Sequence, residues 1–317
     1  MNLPIIAFLF PGQGSQAAGM GKELAALYPV ARHTFQEADD ALGFSISKLC
    51  FEGPEDQLKM TEITQPAILT VSTAISRALQ EKGVVPQFAA GHSLGEYSAH
   101  VAAGTIAFPD AVRTVHHRGK YMQEAVPAGK GAMAAILTMP LGALQQVCRD
   151  AAQGEVVSPA NINSPDQIVI SGDAAAVQRA ADLAKERGAK RAVMLPVSAP
   201  FHCALMQPAQ DRLREDLRLL EFNAPEVPVV SNVDAQPKTT AEDSRDALVR
   251  QVTGAVQWEA CVRKLIELGA TTFVEAGPGK VLTGLMRQID RSQNAVNVED
   301  EASLQKLTNI FAAAAKD

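Results

Sequence analysis

Ser93 stands in the run Gly91-His92-Ser93-Leu94-Gly95, which fits G-x-S-x-G. A short apolar strand over 87–91 precedes it and a helix over 96–103 follows. In that setting a serine sits on a sharp strand-to-helix turn, with its hydroxyl presented above a sheet. Glycines flank it because neighbouring backbone passes too close for a Cβ. The amide of Leu94, at the helix N-terminus, is placed to stabilise an oxyanion. The plainer reading of the same residues is a glycine-flanked turn with an N-cap serine.

A serine nucleophile needs a base. Of the six histidines, His33 and His100 fall inside helices, and His116 and His117 are mid-helix neighbours suited to surface or packing roles. His92 adjoins the serine, where side-chain hydrogen-bond geometry is rarely available. His202 follows a strand end in Ser198-Ala199-Pro200-Phe201-His202-Cys203, where a loop could carry it to the site. It is the candidate base, against the alternative of a packed loop histidine. Glu275, at the end of a strand, is the carboxylate for a Ser-His-Glu triad, although the order Ser…His…acid differs from the hydrolase order.

Phe10-Pro11-Gly12-Gln13-Gly14-Ser15-Gln16 follows the first strand. Gly12-x-Gly14-x-x-Ala17 fits a loose dinucleotide fingerprint, but Glu37, Asp39 and Asp40 lie in a helical stretch rather than at the required second strand end. The loop instead suits a second oxyanion donor beside the elbow, or a plain turn. Arg118 shares a helix face with Ala111, Val115 and Met122. A charge in apolar company needs an anionic partner, either a protein carboxylate or a substrate carboxylate that the guanidinium fork would match.

These candidates must be carried by a fold. The chain has 317 residues, 47% hydrophobic and 20% charged, with ordinary glycine and proline content, so it is globular rather than collagen-like or disordered. Its net charge of −6 argues against a general nucleic-acid binder. Cys50, Cys148, Cys203 and Cys261 are too far apart for a metal motif and read as free thiols. No apolar run reaches membrane-spanning length and no signal segment is read at the start, so a cytoplasmic protein is expected.

Strands over 5–10 and 87–91 alternate with helices: one from Leu24 to Leu42 stopped by Gly43, one over 66–79, one over 111–125. Residues 132–197 then read strand, helix, strand, strand, helix, strand, the ferredoxin-like order. Helix 208–220, strand 228–231, helix 258–268, strand 272–275 and helix 280–289 resume the alternation, and the Ala312–Ala315 run belongs to a terminal helix. The expected fold is α/β, a mostly parallel sheet formed by 1–127 and 198–317 with a small βαββαβ domain inserted at 128–197.

Phe10-Pro11-Gly12-Gln13-Gly14-Ser15-Gln16, Gly91-His92-Ser93-Leu94-Gly95-Glu96-Tyr97, Pro200-Phe201-His202 and Glu275-Ala276-Gly277-Pro278-Gly279-Lys280 occur in this order. Together they resemble the malonyl-CoA:acyl-carrier-protein transacylase family of fatty acid synthesis, along essentially the whole chain. The resemblance implies an α/β-hydrolase-like large domain carrying the ferredoxin-like insertion. It implies Ser93 as acylated nucleophile, His202 as base, Gln13 and Leu94 as oxyanion amides, and Arg118 as ligand of the malonyl carboxylate. It also implies that a backbone carbonyl, at Gln251 by position, orients the base, which leaves Glu275 a structural part. Gln251, Asn163 and Met122 join Arg118 as candidate substrate-pocket residues. Malonyl-CoA and an acidic acyl carrier protein are the expected partners, with no metal or redox cofactor. The basic run Lys185 to Arg191, particularly Lys190 and Arg191, is a candidate carrier-docking patch, or a solvated helix end. A thioesterase or esterase on the same fold, an acyltransferase serving a polyketide carrier, and a non-catalytic carrier-binding module are the alternatives.

Overall fold

A computed structural model describes residues 4–197 and 199–314. Ser198, where the second half of the large domain was expected to begin, and Ala315 of the terminal alanine run lie outside the described residues. Strand β1 (Ile6–Phe10) is buried along its whole length. The helical periodicity from Leu24 to Leu42 resolves into two helices, α1 (Lys22–Leu27) and α2 (Pro29–Leu42), rather than one. Tyr28 is extended between them, because Pro29 disfavours a helical residue before it and opens the next helix. Gly43 ends α2 with φ 75°. Two short helices, α3 (Ile46–Glu52) and α4 (Glu55–Leu58), follow where none was predicted.

Helix α5 (Thr61–Glu81) starts five residues earlier than its apolar pattern and carries Pro66 inside it. A proline there removes the N–H that would bond the carbonyl of Glu62. That carbonyl is satisfied by His116 Nδ1 at 2.8 Å, so one of the two mid-helix histidines repairs the interruption. Strand β2 (Phe88–Gly91), helix α6 (Gly95–Ala102) and helix α7 (Phe108–Glu124) complete the first half.

Strand β3 (Gly131–Leu137), helix α8 (Leu141–Ala152), strands β4 (Val157–Ser164) and β5 (Gln167–Asp173), helix α9 (Ala174–Glu186) and strand β6 (Arg191–Met194) form an antiparallel sheet in the order β4-β5-β3-β6. This is the ferredoxin-like order. Ala134, Ile136, Ile168 and Ile170 face the two helices. Met133, Ala135 and Val169 face the other way, toward Leu195 and Phe201. Val256 clips the edge of β4 to the larger body by backbone bonds to Ala160 and Ile162.

Helix α10 (Gln207–Leu219), strands β7 (Val229–Val230) and β8 (Pro237–Lys238), helices α11 (Ala241–Arg250) and α12 (Trp258–Glu267), strand β9 (Thr272–Ala276), helix α13 (Val281–Ile289), strand β10 (Asn294–Val298) and helix α14 (Glu301–Ala314) finish the chain. The large sheet runs β10-β9-β1-β2-β7-β8 and is parallel except for the β7–β8 pair. Along β1, Phe8 and Phe10 point into one core and Ala7 and Leu9 into the other, the period-two pattern of a strand buried on both faces.

The turn between β2 and α6 is the tightest packing in the sheet. A Cβ on Gly91 would lie 1.9 Å from the carbonyl of Gly95, and one on Gly95 would lie 2.0 Å from the carbonyl oxygen of Phe10. Gly95→Ala therefore has to push the elbow off β1. It should destabilise the protein by about 3 kcal/mol or more, read as a lower urea midpoint. A wild-type midpoint would mean that this close approach is not maintained.

Candidate active site

Ser93 closes the β2–α6 turn with φ 52°, in the left-handed region that side-chain-bearing residues rarely enter. The turn is over-determined. Asn232, just after β7, accepts the Ser93 N–H through Oδ1 at 2.7 Å and donates through Nδ2 to the carbonyl of Gly91 at 2.7 Å. His202 also has a positive φ, 58°, and its Nε2 lies 2.7 Å from Ser93 Oγ. Its Nδ1 donates to the backbone carbonyl of Gln251 at 2.9 Å, which fixes the tautomer and leaves the Nε2 lone pair facing the hydroxyl. Burial, reinforced by the nearby charge of Arg118, pulls the imidazole pKa down to about 3. His202 is therefore neutral across the physiological range, the form that accepts a proton.

Arg118 is fully buried in α7, yet no carboxylate touches it among the described residues. Its Nη1 donates to Gln65 Oε1 at 2.6 Å, and its Nη2 donates to Gln251 Oε1 at 2.9 Å and to Ser93 Oγ at 3.2 Å. Its carbon Cζ lies over the Tyr97 ring at 5.6 Å. Nε has no hydrogen-bond partner. Desolvation lowers its pKa, opposed by Tyr97 and Glu96. The guanidinium is thus held by two glutamines and retains one buried N–H without a hydrogen-bond partner. Gln65 also donates to Gln13 Oε1 at 3.2 Å, tying the loop after β1 to the arginine.

Gln251 follows α11 and is completely buried. Besides receiving His202 on its carbonyl, it donates through Nε2 to the Ser93 carbonyl at 2.9 Å and to Glu96 Oε2 at 2.7 Å. Glu96 also accepts the Asn232 N–H at 3.1 Å. Burial raises the Glu96 pKa to about 7, against the opposing hydrogen bonds from Gln251 and Asn232.

A cavity of about 490 Å³ opens in front of Ser93 and His202, between the large sheet and the open face of the small one. Gln13, Met122, Met133, Leu195 and Phe201 line it. Three of the four candidate pocket residues are not among its lining residues, Arg118 being buried and reaching it through Ser93 Oγ at 3.2 Å. Gln251 lies behind the serine, bonded to Ser93 and His202 but not itself lining the cavity. Asn163 is turned away, with Oδ1 on His92 Nε2 at 2.8 Å, while Asn161 lines the cavity instead. Irregularities in the β4–β5 register at 159/161 and 162/164 decide which side chain faces in. His92, with Trp258 5.6 Å from its ring, is a structural neighbour of the elbow.

Glu275 does not reach His202. Its carboxylate accepts the N–H groups of Leu282 and Thr283 at 2.9 and 2.7 Å and the Thr283 hydroxyl at 2.7 Å, capping α13. The Gln13 loop does sit against the elbow, since a Cβ on Gly12 would lie 2.5 Å from the His92 carbonyl oxygen. The backbone amides of Gln13 and Leu94 thus flank the serine as a pair of donors could.

Three buried polar residues of this arrangement, Gln65, Glu96 and Asn232, and the half-buried Asn161 were not singled out from sequence. The available signal was position alone, Gln65 just before Pro66 and Glu96 just after the elbow.

The acyl transferase domain family matches residues 7–310. The malonyl CoA-acyl carrier protein transacylase of Bacillus subtilis (strain 168) is 50% identical over 301 residues, 95% of each chain. An acyl carrier protein S-malonyltransferase from Vibrio cholerae superposes with a TM-score of 0.94 at 51% identity, covering 95% of this chain and 99% of that one. A malonyl-transacylase solved in complex with its type II PKS acyl-carrier protein has a TM-score of 0.94 at 49% identity, covering 96% and 99%.

Glu275→Gln keeps the shape but offers one acceptor oxygen instead of two. Unfolding should become easier by about 1–3 kcal/mol, while acylation of Ser93 by a small thioester stays within about threefold of wild type. A loss of acylation without loss of stability would return Glu275 to the catalytic group.

Proposed function

The chain belongs to the acyl transferase domain family, and on that premise we propose that it moves the malonyl group of malonyl-CoA to the phosphopantetheine thiol of acyl carrier protein for fatty acid synthesis. The observation that carries the reading is one hydroxyl with two neighbours: Ser93 Oγ lies 2.7 Å from a neutral imidazole and 3.2 Å from a buried guanidinium.

Malonyl thioester enters the cavity with its carbonyl at Ser93. Oγ attacks as His202 Nε2 takes the proton, and the oxyanion falls to the amides of Gln13 and Leu94. CoA leaves with the proton that His202 returns. The carrier thiol then attacks the malonyl ester in the reverse sense, and Ser93 is regenerated. Neither half-reaction needs a metal or redox group, because each only exchanges an acyl group between sulfur and oxygen. Arg118 reads the free carboxylate. Once malonyl is on Oγ, that carboxylate is carried a few bonds from an atom the guanidinium already touches. Acetyl has no such group and leaves the charge without its best partner. Free thiols at all four cysteines suit a cytoplasmic setting.

Lys190 and Arg191 are exposed at the start of β6, whose far end runs through Leu195 to the cavity mouth. Lys185 and Arg187 are instead paired with Asp182 and Asp150. The docking reading of the basic run therefore narrows to 190 and 191. Charge reversal of both should raise KM for the carrier, weaken its salt dependence and spare the CoA half-reaction. Unchanged carrier kinetics at low salt would remove the patch. A polyketide carrier is a second reading, favoured by the related complex with such a protein. Parallel transfer assays with both carriers decide it.

Removing one partner of a buried charge pair costs about 2–5 kcal/mol, so Arg118→Ala should lower malonyl kcat/KM by roughly 30-fold to several thousandfold. Acetyl transfer should fall far less, and Arg118→Lys should recover only part of the loss. Ser93→Ala should fold and form no adduct by intact mass. Equal losses for malonyl and acetyl in Arg118→Ala would make Arg118 a structural residue.

A further inference from the structure

A buried arginine without a carboxylate in contact raises the question of what balances its charge in the resting protein. The nearest answer in the hydrogen-bond network is Glu96. It is completely buried and stands one amide away from the guanidinium: Glu96 Oε2 takes Gln251 Nε2 at 2.7 Å, and Gln251 Oε1 takes Arg118 Nη2 at 2.9 Å. Both donor positions of the Gln251 amide are used, on Ser93 and Glu96, so its oxygen must face the arginine. A carboxylate bonded directly to Arg118 would compete with a substrate carboxylate. One relayed through an amide supplies the charge and leaves one guanidinium N–H without a hydrogen-bond partner.

We propose that Glu96 is the resting counter-ion of Arg118, and that a malonyl carboxylate on Ser93 replaces it in that role, so that malonyl loading is accompanied by uptake of a solvent proton onto the Glu96 carboxylate. This rests on the assignment of Arg118 as the malonyl ligand. Burial holds Glu96 near neutrality, with a pKa of about 7, so the charge is there to be exchanged. The other titratable groups facing it are Tyr97 on its own helix, Asp234 in the β7–β8 turn and Cys261 on α12. Asp234 is held by Lys238 at 2.8 Å and Arg250 at 3.2 Å, and burial raises the pKa of both Tyr97 and Cys261, so none of the three changes charge near neutrality.

The direction follows from the charges. A second anion beside Arg118 disfavours ionised Glu96, so loading raises its pKa further. Just above neutrality the free protein is mostly ionised there and the malonyl form less so, which requires proton uptake. By linkage, the equilibrium for malonyl loading relative to acetyl loading falls as pH rises through this window, with a slope below about tenfold per pH unit. Below about pH 5.5 both forms are protonated and the dependence vanishes.

The test is the number of protons exchanged per Ser93 adduct, from calorimetry of stoichiometric loading in buffers of different ionisation enthalpy. Malonyl-CoA and acetyl-CoA are compared, since ionisation of the released CoA thiol is common to both and cancels. Wild type should take up a fraction of a proton more with malonyl, most strongly just above neutrality. In Glu96→Gln, which keeps an acceptor for Gln251, the difference should disappear while intact mass still reports a malonyl adduct. The wild-type pH series stands alone should that variant fail to fold. Equal proton counts for the two thioesters in wild type, or a difference that persists in Glu96→Gln, overturns the proposal. Malonyl loading of Arg118→Ala at the wild-type rate would overturn the assignment of Arg118 instead.

Discussion

Gln251 is the constraint on which the site depends, because one residue holds both the base and the specificity charge. Its carbonyl fixes His202 as the Nδ1–H tautomer, and its side chain meets Arg118, Ser93 and Glu96. A backbone carbonyl does this without adding a formal charge. An aspartate in its place would raise the basicity of the imidazole, and it would also set an anion beside an arginine that has to receive another. Burial and Arg118 instead keep His202 neutral.

The fold delivers these groups from distant parts of the chain. The parallel pairing of β1 with β2 brings the Gln13 loop to the serine turn, and the adjacency of β2 and β7 brings Asn232. The small antiparallel sheet supplies one wall of the cavity, and the chain leaving it carries His202 back to Ser93. The strain of two left-handed residues facing each other is sustained by bonds from two separate segments, at Asn232 and at Gln251.

How much of this the sequence reveals varies with the range of the interaction. The Ser93 turn is local: its glycines, strand and helix are contiguous, and the helix face carrying Arg118 is equally plain. The base and Gln251 are not local. His202 could be singled out only as the loop histidine able to reach the serine, and Gln251 sits in residues with no pattern and was assigned through resemblance alone. The polar network was hidden because Gln65, Glu96 and Asn232 stand near other polar residues, Thr64, Ser98 and Ser231 among them, and only packing tells a buried hydrogen-bonding side chain from an exposed one. Local structure misled where tertiary contacts compensate. Pro66 is tolerated because His116 replaces its missing donor, and the irregular β4–β5 register exchanges Asn163 for Asn161 at the cavity. Helix α11, with its largely polar sequence, and strand β10, which is only partly buried, gave too little contrast to be read.

The central claim is that a neutral His202, held by a backbone carbonyl and not by an acid, faces Ser93 with a bare Nε2. Nitrogen-15 NMR of histidine-labelled protein, with His202 assigned by substitution, measures this directly. The account predicts a neutral ring protonated on Nδ1 from about pH 5 to 8, with no titration near the ordinary histidine pKa of about 6.5. A His202 that titrates near that value, or that carries its proton on Nε2 in the resting protein, would contradict it.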